Sequence, residues 1–383
     1  MEMEKRKKFK LLRNGKQFLF NSFVICSVIS FFVLFFARYV FVNKSSQDIA
    51  TTLSGTLGTA LGFFGSILVY NALREQVKAN KLIQKQFKVQ AFESRLYKML
   101  DIYNLNVNNL KFKNRKTGLE YRGKNVFPAI ISDYRKLKDE IETFNNDMGF
   151  DIDAIIIEEY RKKLITINGI GNVYNSSILE ITYLCLFFGV GVNGRPNITA
   201  LFKDKYDNNY LKTLLNYLSN KPASHNSKEK HKRKWKELMI PFELFIEPNN
   251  KKFDKYYNGH QNNLGHYYRH IFMIIKFIDQ QPMFTYLEKW EYSKLLRTQL
   301  SNHEQELFFL NSISILGRDW ELNQDGSNGE FENKRFITKY DLIKNVSKSV
   351  INKYNIKSFY PNVEFEYEDD TQDRRDLNEN VYL

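Results

Sequence analysis

From Gly265 the chain reads GHYYRHIFMIIKFID, and from Thr285 to Asn311 it reads TYLEKWEYSKLLRTQLSNHEQELFFLN. In the first stretch Leu264, Tyr268, Ile271, Ile275 and Ile278 recur at helical spacing on one face, with His266, Arg269 and His270 on the opposite one. In the second, Thr285 and Glu288 form the Thr-x-x-Glu capping-box pattern, just after Pro282 has closed the preceding helix. Leu296, Leu300, His303, Leu307 and Leu310 then alternate at spacings of four and three, a seam that faces a core. A neighbouring face carries Arg297, Ser301, Glu304, Phe308 and Asn311. With only about six residues between the two patterns, the expectation is an antiparallel helical hairpin in which the polar stripes meet. A mainly α fold follows.

That meeting defines a candidate site of His266, Arg269, His270, Arg297, Ser301, Glu304 and Asn311. The competing reading is a buried polar network, or an Arg297 to Glu304 bridge, that fixes helix register. Four of the six histidines, His260, His266, His270 and His303, lie in this part of the chain.

Working outward, the same capped, amphipathic character recurs. Helical patterns follow Pro128, run from Asp151 to Ile167 and from Tyr210 to Leu218, and resume from Lys334 to Ile351. Ser177 and Glu180 read as a second capping box before ILEITYLCLFFG. The GVGVNG at Gly189 to Gly194 matches the spacing of a dinucleotide fingerprint, but a helix precedes it where a strand is needed and Pro196 follows. It is therefore not read as a nucleotide site. A basic run at 221–237, a turn-rich loop from Leu322 and an acidic end from Pro361 complete the picture.

At the amino terminus, about 18–42 and about 49–73 are nearly free of charge and long enough to span a bilayer. The second contains Gly58 and Gly62, a close-packing step that serves either the hairpin itself or contact between copies. Seven basic residues precede the pair, from Lys5 to Lys16, and Arg74, Lys78, Lys81, Lys85 and Lys88 follow it. By the positive-inside rule both termini face the cytoplasm. The expected organisation is a basic terminus at 1–16, a transmembrane hairpin at 17–73, a helical stalk at 74–108, a helical cytosolic domain at 109–358 and a loosely ordered acidic tail at 359–383.

The net charge of +14 on 383 residues is uneven. Residues 1–16 hold seven basic and two acidic groups, 74–140 hold sixteen and seven, and the tail from Pro361 holds two and eight. Basic density beside apolar segments suits anionic lipid headgroups, each juxtamembrane cation gaining about 1 kcal/mol; RNA is also compatible. Cys26 and Cys185 both sit among apolar residues and read as buried thiols.

The strings from Gly265, from Tyr292 (YSKLLRTQLSNHEQELFFLNSIS) and from Phe336 (FITKYDLIKNV) resemble the core of the phage abortive infection family, the AbiC-like proteins of bacteria. The two apolar segments near the amino terminus fit that family's layout, whose core would lie at about 259–350. The resemblance implies anti-phage defence by abortive infection and leaves trigger, host target and biochemical activity open. The family pattern has an aromatic residue where His303 stands.

Two chemistries compete for the candidate site. Arg297 and His303 resemble the Arg-x4-6-His motif of HEPN-type ribonucleases, in which His would act as acid or base and Arg would steady phosphate charge. His266 and His270 have the i, i+4 spacing of helical zinc ligands, but Arg269 opposes a cation and the Glu of HExxH is missing. Neither a metal nor a cofactor is expected, and no Walker A, nucleophile elbow or cysteine-rich module occurs. A non-enzymatic membrane scaffold is the third reading.

Overall fold

The computed structural model describes residues 45–113, 118–219, 258–321 and 335–366. The expected segments 1–16, 18–42 and 221–237, most of the loop from Leu322, and most of the acidic tail lie outside the described residues. The chain divides into two compact units, Met1–Ala91 and Phe92–Leu383.

In the first unit the described residues are a single element. Helix α1 (Ser46–Asn108) begins there and continues to Asn108 without a break, as the missing prolines allow. Its faces from Leu61 to Phe87 are open: Phe63, Val69, Tyr70, Leu82 and Phe87 are all exposed. Among the described residues no helix is long and apolar enough to cross a membrane. The expected span at 49–73 is helical but diluted by Gly55, Gly58, Gly62, Gly65 and several hydroxyl residues.

Burial starts abruptly at Phe92. Along α1, Val77, Leu82 and Phe87 are exposed, whereas Phe92, Leu96 and Leu100 are buried. Within the second unit, the Phe92 ring stacks on Phe277 at 5.1 Å and meets Phe284 and Tyr292 edge-on at 4.7 and 4.9 Å. Such aromatic clusters combine a large buried area with a preferred geometry.

The second unit is otherwise helical. A short antiparallel hairpin, β1 (Lys111–Lys113) with β2 (Glu120–Arg122), follows α1. Then come α2 (Val126–Met148), α3 (Ile152–Ile155), α4 (Glu158–Asn168), α5 (Val173–Phe188), α6 (Arg195–Phe202) and α7 (Asn208–Ser219). After them are α8 (Gln261–Asp279), α9 (Tyr286–Arg297), α10 (Asn302–Ile313), α11 (Phe336–Tyr340), α12 (Lys348–Tyr354) and α13 (Ile356–Phe359). Helix α5 is buried almost all round and packs against α2, α10 and α8, which places it at the centre.

Several expected elements are corrected here. Ser177 and Glu180 do not cap a helix: α5 already starts at Val173, and both residues lie buried in its interior. The Asp151 to Ile167 pattern is two helices, parted by a bridge between Ile156 and Tyr206. Lys334 to Ile351 is also split, because Asp341 turns the chain at φ 50°. The continuous helix from Thr285 to Asn311 breaks after Arg297, where Ser301 caps a new one. GVGVNG is a tight turn between α5 and α6. Gly189 has φ 76°, and a Cβ on Gly194 would lie 2.0 Å from the Gly189 carbonyl oxygen. Those glycines are explained by backbone crowding alone.

Candidate functional site

The two capping boxes fix α9 and α10. At Thr285 the hydroxyl accepts from the Glu288 amide while Glu288 accepts from the Thr285 amide. Ser301 and Glu304 repeat the arrangement four residues after α9 ends. This new start rotates the α10 face relative to an unbroken helix. Leu296, Leu300, Leu307 and Leu310 keep the expected buried seam, but His303 is exposed.

Glu304 is fully buried and does more than cap. Its Oε2 takes the Ser301 amide at 2.8 Å and the Ser301 hydroxyl at 2.6 Å, while its Oε1 takes the hydroxyls of Tyr103 at 2.5 Å and Tyr267 at 3.1 Å. Burial, with Glu304 adding to it, pushes the Tyr103 hydroxyl far above its ordinary pKa, and Tyr267 is raised in the same direction. Both phenols are therefore donors throughout the physiological range.

Two further carboxylates of the second unit are buried. Arg135 Nη2 donates to both oxygens of Glu306 at 2.8 Å, and the Tyr354 hydroxyl donates to its Oε1 at 3.1 Å. Glu180, in the middle of α5, accepts from Tyr160 at 2.6 Å, Tyr206 at 3.0 Å, Arg318 at 2.9 Å and the Ile315 amide at 2.8 Å. Burial works against the Arg318 cation, yet Glu180 and Tyr160 outweigh it and hold its pKa above the ordinary value. Each carboxylate accepts from several donors, at least one of them from a distant part of the chain, which is how a buried charge becomes tolerable.

The expected constellation separates. On α8, His266 and Arg269 are exposed and 3.3 Å apart, and Arg269 also donates to the Gly265 carbonyl. His270 is half-buried and its Nε2 lies 2.8 Å from the Met99 carbonyl, so that nitrogen carries the proton. The face of α8 that reaches α10 is instead Tyr267 and Tyr268, the latter donating to the Leu307 carbonyl at 3.0 Å. Asn311 donates to the Tyr183 hydroxyl at 3.0 Å.

Arg297 is buried, lies over the Trp290 ring at 4.9 Å, and donates to the Tyr340 and Asp341 carbonyls at 3.3 Å each. Burial lowers its pKa, with Asp341 pulling the other way. Arg297 and Glu304 thus hold different partners, and no bridge joins them among the described residues. A ribonuclease needs Arg297 and His303 to converge on one phosphate; one is enclosed by backbone carbonyls and aromatic rings, the other faces solvent. Among the described residues no group of three His, Cys, Asp or Glu side chains could hold a metal.

Sequence reasoning missed Tyr103, Tyr160, Tyr206, Arg135, Glu180, Glu306 and Arg318 as network members. The available signal was the placement of carboxylates inside apolar runs, ILEITYLCLFF for Glu180 and EQELFFL for Glu304 and Glu306. Cys185 is buried in α5, its thiol pushed up to about 12 by burial, and is inert.

No curated protein and no solved structure matches the chain. Over residues 259–351, the stretch that supplies Tyr267, Arg297, Glu304 and Glu306, the chain matches the family described as "Putative phage abortive infection protein".

Proposed function

We propose that this chain is a membrane-anchored anti-phage protein that acts by abortive infection. The observation that carries the reading is the family match over residues 259–351, which falls on the helices that close the core of the second unit. In this reading the nearly charge-free apolar stretches at 18–42 and 49–73 form the anchor, with both termini in the cytoplasm. Support for the anchor is the exposure of Phe63, Leu68, Val69 and Tyr70 on α1, immediately before the first flanking cations, Arg74 and Lys78. The helical unit after Phe92 then senses infection or acts on a cytosolic or membrane target, and the buried carboxylates hold its shape.

The test is phage plating on cells that express the chain from a controlled promoter, with host survival followed after infection. Protection of the population together with death of infected cells is the expected result. Equal plating with and without the chain across a broad phage panel refutes the defence role. Anchoring is read separately: carbonate washing of the membrane fraction leaves an anchored chain in the pellet, and release into the supernatant refutes the anchor. Intact total RNA during protection is the expected outcome, since the Arg297 and His303 pair is not assembled.

A further inference from the structure

Arg74, Lys78, Lys81, Lys85 and Lys88 of α1 are all exposed. Their spacings of four, three, four and three place them within an arc of about 80° on one face, at about 100° per residue. From Arg74 to Lys88 the stripe covers about 21 Å at a rise of 1.5 Å per residue. Elsewhere on this segment stand neutral residues, Gln76, Asn80, Ile83, Gln86, Phe87 and Gln90, and the acidic Glu75 at the stripe's edge, which meets Lys78 at 2.6 Å.

We infer that this stripe is a docking strip for the phosphate backbone of a nucleic acid. Three comparisons select that partner. A lipid headgroup layer is only about 5 to 8 Å deep on each side of the bilayer. A straight helix leaving the membrane would carry Lys85 and Lys88 beyond it, and cations there would serve equally well on any face. A one-sided stripe instead matches a polyanion lying alongside the helix axis. An acidic partner helix would need apolar residues along the contact seam, and here the seam positions are themselves cations. A second copy of this face would meet like charge with like. Lysines act as point charges with no bidentate base geometry, so the contact is independent of nucleotide sequence. The inference does not depend on the membrane reading, and the experiment reads the two apart.

Purified full-length chain in neutral detergent is titrated with a labelled mixed-sequence DNA duplex and a labelled RNA strand, by fluorescence anisotropy, over about 50 to 200 mM salt. Anionic phosphatidylserine vesicles form the parallel arm. In the variant with Lys78→Gln, Lys81→Gln, Lys85→Gln and Lys88→Gln, the slope of log affinity against log salt for the duplex falls by about 3.6, at about 0.9 per phosphate contact. All four positions are exposed, and circular dichroism confirms the helix. A second variant, Lys78→Gln and Lys85→Gln with Gln76→Lys and Gln86→Lys, keeps the net charge but scatters it around the helix, and loses about 1.8 of slope by the same rule. Wild-type binding with both losses supports the strip. Unchanged slopes, a scattered variant that binds as wild type, or binding to vesicles with none to either oligonucleotide overturns it.

Discussion

Replacing Glu304 by alanine should be among the most damaging single changes in this protein. The substitution removes the carboxylate that accepts from the Tyr103 and Tyr267 hydroxyls, whose residues are only 1% and 2% exposed. Each buried hydroxyl left without its acceptor costs about 1 to 3 kcal/mol. Loss of the capping box at Ser301 costs about 1 kcal/mol more. Together these give about 5 kcal/mol. At about 2 to 4 °C per kcal/mol for a domain of this size, the midpoint of thermal unfolding should fall by more than 10 °C. Circular dichroism melting of the full chain in neutral detergent measures it. Glu304→Gln keeps the shape but presents an amide donor to hydroxyls that donate, and should lose about half as much. His303→Ala, one residue away on the exposed side, should lie within about 0.5 kcal/mol of wild type and serves as the internal control. If Glu304→Ala melts within about 1 kcal/mol of wild type, the carboxylate is not the keystone of this contact and the reasoning fails.

Glu180→Gln should cost about 3 to 5 kcal/mol because Arg318 is left charged and buried, whereas Glu180→Met with Arg318→Met should recover much of the loss; a urea double-mutant cycle gives the coupling. Asp341, pushed up to about 6 by burial despite the opposing Arg297, holds its proton more tightly folded than unfolded. Its contribution is present at low pH and is lost as pH rises from about 4 through 6, so Asp341→Asn should flatten that fall in urea midpoint. His260 acts in the opposite sense: burial lowers it to about 4, and its stabilisation is lost as pH falls from about 6.5 through 4, a loss that His260→Phe should remove. His303→Ala should also leave phage protection unchanged at matched protein level, since this side chain is exposed whereas Arg297 is buried; loss of protection would revive a role for it.

The helical class and the core face of α8 were legible because Leu264, Tyr268, Ile271, Ile275 and Ile278 follow a single period over a long stretch, and all are buried. The Thr285 capping box was equally plain. The break before α10 was written in the same Ser-x-x-Glu signature, at Ser301 and Glu304, but the leucine seam runs through it and made one helix look sufficient. That unnoticed restart moved His303 out of the core and turned Glu304 inward. At Ser177 the same signature misled, because a capping pattern is local chemistry and α5 is dictated by burial on all sides. The partners of the buried carboxylates could not be read at all. Tyr103, Tyr160 and Arg135 meet them only through tertiary packing, and no short-range spacing encodes a contact across the chain.

The hydrogen bond between Tyr103 and Glu304 joins residues 201 positions apart. Ribosomes add about 5 to 20 residues each second, so Tyr103 emerges roughly 10 to 40 seconds before its carboxylate exists. Throughout that interval the end of α1 presents Phe92, Leu96 and Tyr103 with no α8, α9 or α10 to cover them. Newly made chains therefore pass through a defined period in which chaperones or proteases can engage this surface, and completion of the family segment ends it. Abundance of the finished protein should consequently respond to translation speed over the last third of the message more than over the first.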